Sequence, residues 1–241
     1  MEDLRFKVAL ITGGTKGIGY AVAESLLKQG VNVAITGRTE KGAKDAAMHL
    51  NANENDLARA IGLASDVRSF KSQEEVVKEV VEEFGQLDII VANAGIGHFA
   101  SIEDLSVEKW QETIDTNLTG AFFSLKAGFN QLIKNKGYYI SISSLAGTNF
   151  FAGGAAYNAS KFGLTGFSQA VMLDLRKHGV KVSTIMPGSV STYFNGNQPN
   201  ESDAWKIQGE DIGELVVDLL KMNERTLPSK IEVRPTMQTT Y

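Results

Sequence analysis

Tyr157 and Lys161 stand four residues apart in the stretch YNASK. On a helix that spacing puts both side chains on one face, roughly 6 Å apart along the axis. A phenol holds its proton to an ordinary pKa of about 10, too firmly to release it readily at neutral pH. A fixed ammonium nearby favours the phenolate and makes that proton mobile. The pair therefore reads as an acid/base couple. The same spacing also arises from a half-buried aromatic beside a solvated lysine, so the choice depends on the elements that position it.

Those elements alternate from end to end. Short apolar runs at 8–12, 32–37, 61–66, 87–95, 138–143, 180–188 and 230–235 read as seven strands. Stretches with helical spacing lie between them: 20–30, 41–50, 72–85, 106–135 as one long helix or two joined ones, 157–177 and 210–221. Strand–helix alternation implies right-handed crossovers and an α/β fold, a doubly wound parallel sheet with helices on both faces. SVSTYFNGNQPNESD (189–203) lacks periodicity and reads as a mobile loop. No linker or repeat interrupts the chain, so 1–241 is expected to be a single domain.

The first strand runs into TGGTKGIG (12–19), with glycines at 13, 17 and 19. A chain that turns tightly from a strand into a helix presents backbone N–H groups and the helix dipole to an anion. At the first strand–helix joint of a βαβ unit, that anion is expected to be the pyrophosphate of a dinucleotide.

The spacing G-x-x-x-G-x-G, together with Tyr157-x-x-x-Lys161, resembles the short-chain dehydrogenase/reductase family. The likeness covers nearly the whole chain: Thr12–Gly19, Asp66, Asn93-Ala94-Gly95, Asn117 in TNLTG, Ser144 in ISISSLAG, and Pro187-Gly188. Ala92 stands where the family commonly has a further Asn. The resemblance implies a Rossmann-like sheet in the strand order 3-2-1-4-5-6-7. It implies Tyr157 as acid/base, Lys161 as its electrostatic partner and holder of the nicotinamide ribose, and Ser144 as donor to the substrate oxygen. Asn117 is implied to bend its helix and hold a water connecting Lys161 to solvent. Ser143 is adjacent to Ser144 but faces the other way if the strand continues. Cofactor contacts are implied at Gly13, Thr15, Lys16, Gly17, Ile18 and Gly19 of the turn. Further contacts are implied at Asp66 and Val67 by the adenine, and at Asn93, Ala94 and Gly95 under the adenine ribose. Pro187, Gly188 and Val190 are implied near the nicotinamide, with Tyr157 and Lys161, and Thr192 at its carboxamide or at the pyrophosphate.

A site preferring NAD places a carboxylate at the end of the second strand to accept from the ribose hydroxyls. Here that position is Gly37, followed by Arg38, with Lys16 in the glycine turn and Glu40 close by. A guanidinium pairs with a phosphate through two parallel hydrogen bonds. NADP(H) is therefore the expected cofactor.

The formal net charge of −4 gives no footing for nucleic acid or an anionic membrane surface. The absence of cysteine excludes disulfides and thiolate metal sites and suits a reducing, cytoplasmic compartment. Three scattered histidines suggest no metal site, and His98 reads as a loop residue. The acidic start is not read as a signal peptide, and no run is long enough to span a membrane. Phe150, Phe151, Tyr193, Phe194 and Trp205 read either as walls of an apolar substrate cleft or as ordinary packing. The expected activity is NADP(H)-dependent oxidoreduction of a carbonyl or secondary alcohol on a small or medium apolar substrate. A 3-oxoacyl thioester reductase is the nearest variant, although the tail KIEVRPTMQTTY lacks the glycine pair usual in that branch. A non-catalytic dinucleotide sensor is the rival of another class. The resemblance implies a homodimer or homotetramer paired through the helices at 106–135 and 157–177.

Overall fold

A computed structural model describes residues 3–52 and 58–237. Seven strands form one sheet in the order β3-β2-β1-β4-β5-β6-β7, and every adjacent pair is parallel. They are β1 (Val8–Ile11), β2 (Asn32–Gly37), β3 (Ala60–Ala64), β4 (Ile89–Ala92), β5 (Tyr138–Ile142), β6 (Lys181–Pro187) and β7 (Lys230–Val233). Both the order and the count match the expectation.

Because side chains alternate along a strand, each central strand supplies two cores. Ala9 and Ile11 of β1, with Ile89 and Val91 of β4, pack under Val22 and Leu26 of α1 (Gly17–Leu27) and Ile212 and Val216 of α7 (Gly209–Lys221). Leu50 of α2 (Glu40–Ala52) joins that side. Val8, Leu10 and Ile90 face the other way. They meet Val76 and Val80 of α3 (Phe70–Phe84), Leu125 and Leu132 of α5 (Gly120–Asn135), and Leu164 and Met172 of α6 (Ala155–Leu175). Each such side chain, removed from water, stabilises the fold by about 1.5–3 kcal/mol. The continuous apolar runs follow from this two-sided burial.

Residues 106–135 form two helices with a bend between them. Ser106 accepts from the Lys109 N–H and starts α4 (Val107–Ile114); a π-turn at Asp115–Thr119 then leads into α5. Asn117 lies in that turn, as its expected bending role requires. All strands but β2 are shorter than the runs expected for them; β3 stops before Asp66 and β4 before Asn93, so these residues stand in loops at the sheet's carboxyl edge. The stretch 189–203, expected to be a mobile loop, is tied down. A bridge joins Val190 to Ile207, Ser191 N–H donates to the Ile207 carbonyl at 2.8 Å, and short 3-10 turns form at Phe194–Gly196 and Glu201–Asp203.

Candidate active site

The carboxyl ends of β1, β4, β5 and β6 open into a cleft of about 770 Å³. The glycine turn forms one wall. Gly13 and Gly17 have φ of +65° and +59°, a region L side chains rarely adopt. Asn93 braces the turn: its side-chain N–H groups donate to the carbonyls of Thr12 (3.0 Å) and Gly13 (2.9 Å). The Thr12 hydroxyl accepts from the Asn93 and Ala94 N–H groups, both at 3.1 Å. The Asn93 side-chain N–H groups are therefore spent on the turn, and Asn93, Ala94 and Gly95 border the cleft. Gly19 is buried against Asn93 and the Gly13 carbonyl and does not line the cleft, so its role is packing.

Helix α1 begins at Gly17 with no side-chain cap from Lys16, which leaves first-turn N–H groups open beside cleft residues Thr15, Gly17 and Ile18. An uncapped helix start facing a cleft suits the pyrophosphate of a dinucleotide. Beyond it lie Gly37, Arg38, Asp66 and Val67. Arg38 and Lys16 are exposed, and neither is in a salt bridge among the described residues; Lys16 Nζ stands 5.7 Å from the centroid of the Tyr193 ring. Glu40 turns instead to Lys44 on its own helix. Asp66 is held by Arg68 through a two-pronged pair at 2.7–3.1 Å. The guanidinium of Arg68 lowers the Asp66 pKa from the usual carboxylate value, so this carboxylate reaches any adenine already paired. Arg68 also lies 3.8 Å from Glu112, which hydrogen-bonds His98 at 2.9 Å. Arg68 and Glu112 border the cleft and carried no sequence signal.

At the other end lie Ser144, Tyr157, Lys161, Pro187, Gly188, Val190 and Thr192. Tyr157 sits in the first turn of α6, and the Lys161 ammonium lies 5.7 Å from the centroid of its ring. Lys161 is buried, donates to the Ile142 carbonyl at 2.9 Å, and has its pKa lowered by burial to about 8. Burial also pushes the Tyr157 phenol up from its ordinary value, opposed by the Ser144 hydroxyl beside it. Burial thus acts on the Tyr157 phenol in the direction opposite to the expected depression. Ser144 starts a short turn; its hydroxyl accepts from the Ala146 N–H at 3.1 Å and donates to the Pro187 carbonyl at 3.5 Å, a long bond that a nearer acceptor in the cleft would replace. Ser143 points inward; its hydroxyl meets the Lys161 carbonyl (3.2 Å) and Thr165 (3.0 Å).

Asn117 does not line the cleft. Its amide accepts from Ile96 N–H and donates to the Ile96 carbonyl, both at 2.8 Å, and donates to Ser160 at 2.9 Å. The side chain clamps the loop after β4 to α6, with its amide N–H groups and oxygen all bonded to protein partners. It is a positioning residue. Among the aromatics, Tyr193 and Phe194 border the cleft, whereas Phe150 is 86% exposed and Trp205 lies outside it. Phe99 was not anticipated: its ring packs edge-on against Tyr157 at 5.4 Å. Among the described residues no cluster suits a metal ion, and no helix is long and apolar enough to cross a membrane.

The model of the short chain dehydrogenase family matches residues 7–203. An oxidoreductase of Staphylococcus saprophyticus is 31% identical over 98% of this chain and all of its own length. The 3-oxoacyl-[acyl-carrier-protein] reductase of Salmonella typhimurium is 37% identical over 77% of this chain and 74% of its own. Among solved structures, an alcohol dehydrogenase from the archaeon Thermococcus sibiricus, complexed with 5-hydroxy-NADP, superposes with a TM-score of 0.89 at 30% identity, covering 98% of this chain and 99% of that one. The chain belongs to the short-chain dehydrogenase family, whose members are oxidoreductases that use a nicotinamide dinucleotide.

Proposed function

We propose that this protein is a single-domain cytoplasmic enzyme that transfers a hydride between NADP(H) and a carbonyl or secondary alcohol of a small or medium apolar substrate. The observation that carries this reading is the cleft itself: Ser144, Tyr157 and Lys161 line it together with two cations, Lys16 and Arg38, that form no salt bridge among the described residues. An apolar molecule alone would need no cations, and a phosphorylated cofactor accounts for both.

The uncapped start of α1 receives the pyrophosphate, Arg38 and Lys16 the ribose phosphate, and Asp66, Val67 and Asn93 to Gly95 flank the adenosine. Lys161, with Tyr157, holds the nicotinamide ribose; Pro187, Gly188, Val190 and Thr192 flank the ring. When bound, the reduced cofactor supplies a hydride to the carbonyl carbon and acquires a positive charge on oxidation. Ser144 donates a hydrogen bond to the carbonyl oxygen, and Tyr157 gives that oxygen its proton as the C=O electron pair moves onto it. With a positive charge at the nicotinamide position, Tyr157 would be favoured as tyrosinate, offsetting the burial that raises its pKa.

A second reading, reduction of a 3-oxoacyl thioester, is supported by the identity to the Salmonella enzyme. Homodimers or homotetramers would cover the half-exposed Phe122 of α5 with Phe162 and Leu173 of α6. A panel of ketones and aldehydes tests the reading by loss of reduced-cofactor absorbance. NADPH should support at least about tenfold higher kcat/KM than NADH, a margin that one two-pronged phosphate pair supplies. Equal efficiencies would overturn the cofactor assignment, and no consumption with any carbonyl would overturn the function.

A further inference from the structure

We infer that Lys206 is a further cofactor-binding residue, taking the pyrophosphate that NADP(H) and NAD(H) share. The inference rests on dinucleotide binding in this cleft and not on the identity of the substrate. Lys206 lines the cleft, whereas its ion-pair partner Asp203 does not. The ammonium meets an Asp203 oxygen at 2.6 Å, with the two side chains 25% and 11% exposed. The carboxylate is thus the buried end of the pair, and the cation is the end that borders the cleft. An ammonium has N–H donors to spare after one carboxylate, and among the described residues Lys206 meets no second acceptor. The Trp205 ring, 5.8 Å from the ammonium, restrains it further.

Contacts along the same loop bring this pair to the start of α1. The Ser191 hydroxyl donates to Asp203 at 3.4 Å. Next to it, Thr192 stands where a Cβ on Gly17, the first residue of α1, would lie 3.5 Å from its side chain. From the other direction, a Cβ on Gly209, which opens α7, would lie 3.6 Å from the Gly17 carbonyl oxygen. The Val190–Ile207 bridge ties the two approaches together. Lys206 is therefore anchored beside the open N–H groups that suit a pyrophosphate.

Those N–H groups are neutral and offer only the partial charge of the helix dipole. A pyrophosphate brings full negative charge, and a fixed cation answers it more strongly. The other cations of the cleft have other tasks: Arg38 and Lys16 face the ribose phosphate, Lys161 the nicotinamide ribose, and Arg68 holds Asp66. Because Asp203 already orients Lys206, little side-chain freedom is lost when an anion binds.

The pyrophosphate is common to both nicotinamide dinucleotides, which separates Lys206 from Arg38. Kd is to be measured for NADPH and for NADH by isothermal titration. Lys206→Met should raise both values by at least about fivefold, the worth of one charge-assisted hydrogen bond at a partly exposed site. Lys206→Arg, which keeps the charge, should bind both within about twofold of wild type. Arg38→Ala should weaken NADPH alone. Urea unfolding of each variant shows whether it folds; should Lys206→Met fail because Asp203 is left unpaired, Lys206→Met with Asp203→Asn takes the same test. Unchanged Kd values for both cofactors in the folded variant, or a loss confined to NADPH, would overturn the assignment while leaving dinucleotide binding standing. Failure of the wild type to bind either cofactor would overturn the dinucleotide reading itself.

Discussion

The buried ammonium of Lys161 lies 5.7 Å from the centroid of the Tyr157 ring, one helical turn along α6, and donates to the Ile142 carbonyl at the end of β5. The helix sets the spacing and the strand end fixes the direction, so the pair is built before any ligand arrives. Burial lowers the Lys161 pKa from 10.5 to about 8.

This has a stability consequence with a definite sign. Between about pH 8 and 10.5 the unfolded chain holds a proton that folded Lys161 has released, so stability rises with pH across that window. Relative to Lys161→Met, the wild type should gain about 2 kcal/mol between about pH 7.5 and 9.5, read from urea unfolding at each pH. The raised Tyr157 pKa opposes this rise only near the upper end of the window, because a phenol titrates in the unfolded chain near about 10. Parallel stability profiles for the two proteins would show that Lys161 is not desolvated.

The two adjacent serines should separate stability from turnover. Ser144→Ala leaves the fold intact and should reduce kcat by about tenfold to a hundredfold, the worth of one hydrogen bond to the reacting oxygen. Ser143→Ala removes bonds to the Lys161 carbonyl and Thr165 and should cost about 1 kcal/mol of stability with a smaller effect on kcat. The reverse pattern would exchange their roles.

Asn117→Ala deprives the Ile96 N–H and carbonyl and the Ser160 hydroxyl of their partner. Denaturant unfolding should show a loss of about 2–3 kcal/mol, typical of buried groups left unpaired. Loss of turnover with stability unchanged would instead assign Asn117 a direct part in proton transfer.

Cofactor preference should resist the simplest exchange. A Cβ on Gly37 would stand 2.6 Å from Thr15 Cγ2, so Gly37→Asp places its carboxylate only by displacing the glycine turn. Arg38→Ala should raise KM for NADPH about tenfold. Gly37→Asp should gain NADH activity only when combined with Thr15→Ala. A full switch by Gly37→Asp alone would show that the turn yields more freely than its hydrogen bonds suggest.

The parallel sheet was legible from local signals, apolar runs between helical stretches, whereas its strand order and the Ser144–Tyr157–Lys161 set came from the family resemblance that motifs of fixed spacing carry. What escaped the sequence depends on contacts across it. Phe99 and Phe194 lie 95 residues apart, and nothing local announces that both converge on Gly97. The clamp made by Asn117 and the brace made by Asn93 join β4 to distant elements, so their types were apparent but their partners were not. Asp66 looked free to meet adenine until folding showed it held by Arg68. The strand ends at Ala64 and Ala92 were overrun because the last ladder pairings, Gly37 with Ala64 and Ala92 with Ser141, are set by neighbouring strands and leave no local mark.

The most direct test of the account is single-turnover reduction of a ketone by NADPH with Tyr157→Phe, alongside NADPH binding measured by fluorescence. The account predicts binding within about threefold of wild type and a hydride-transfer rate lower by at least about a thousandfold, the worth of a positioned acid together with its charge partner. A rate within about threefold of wild type would contradict the assignment of Tyr157 as the proton donor.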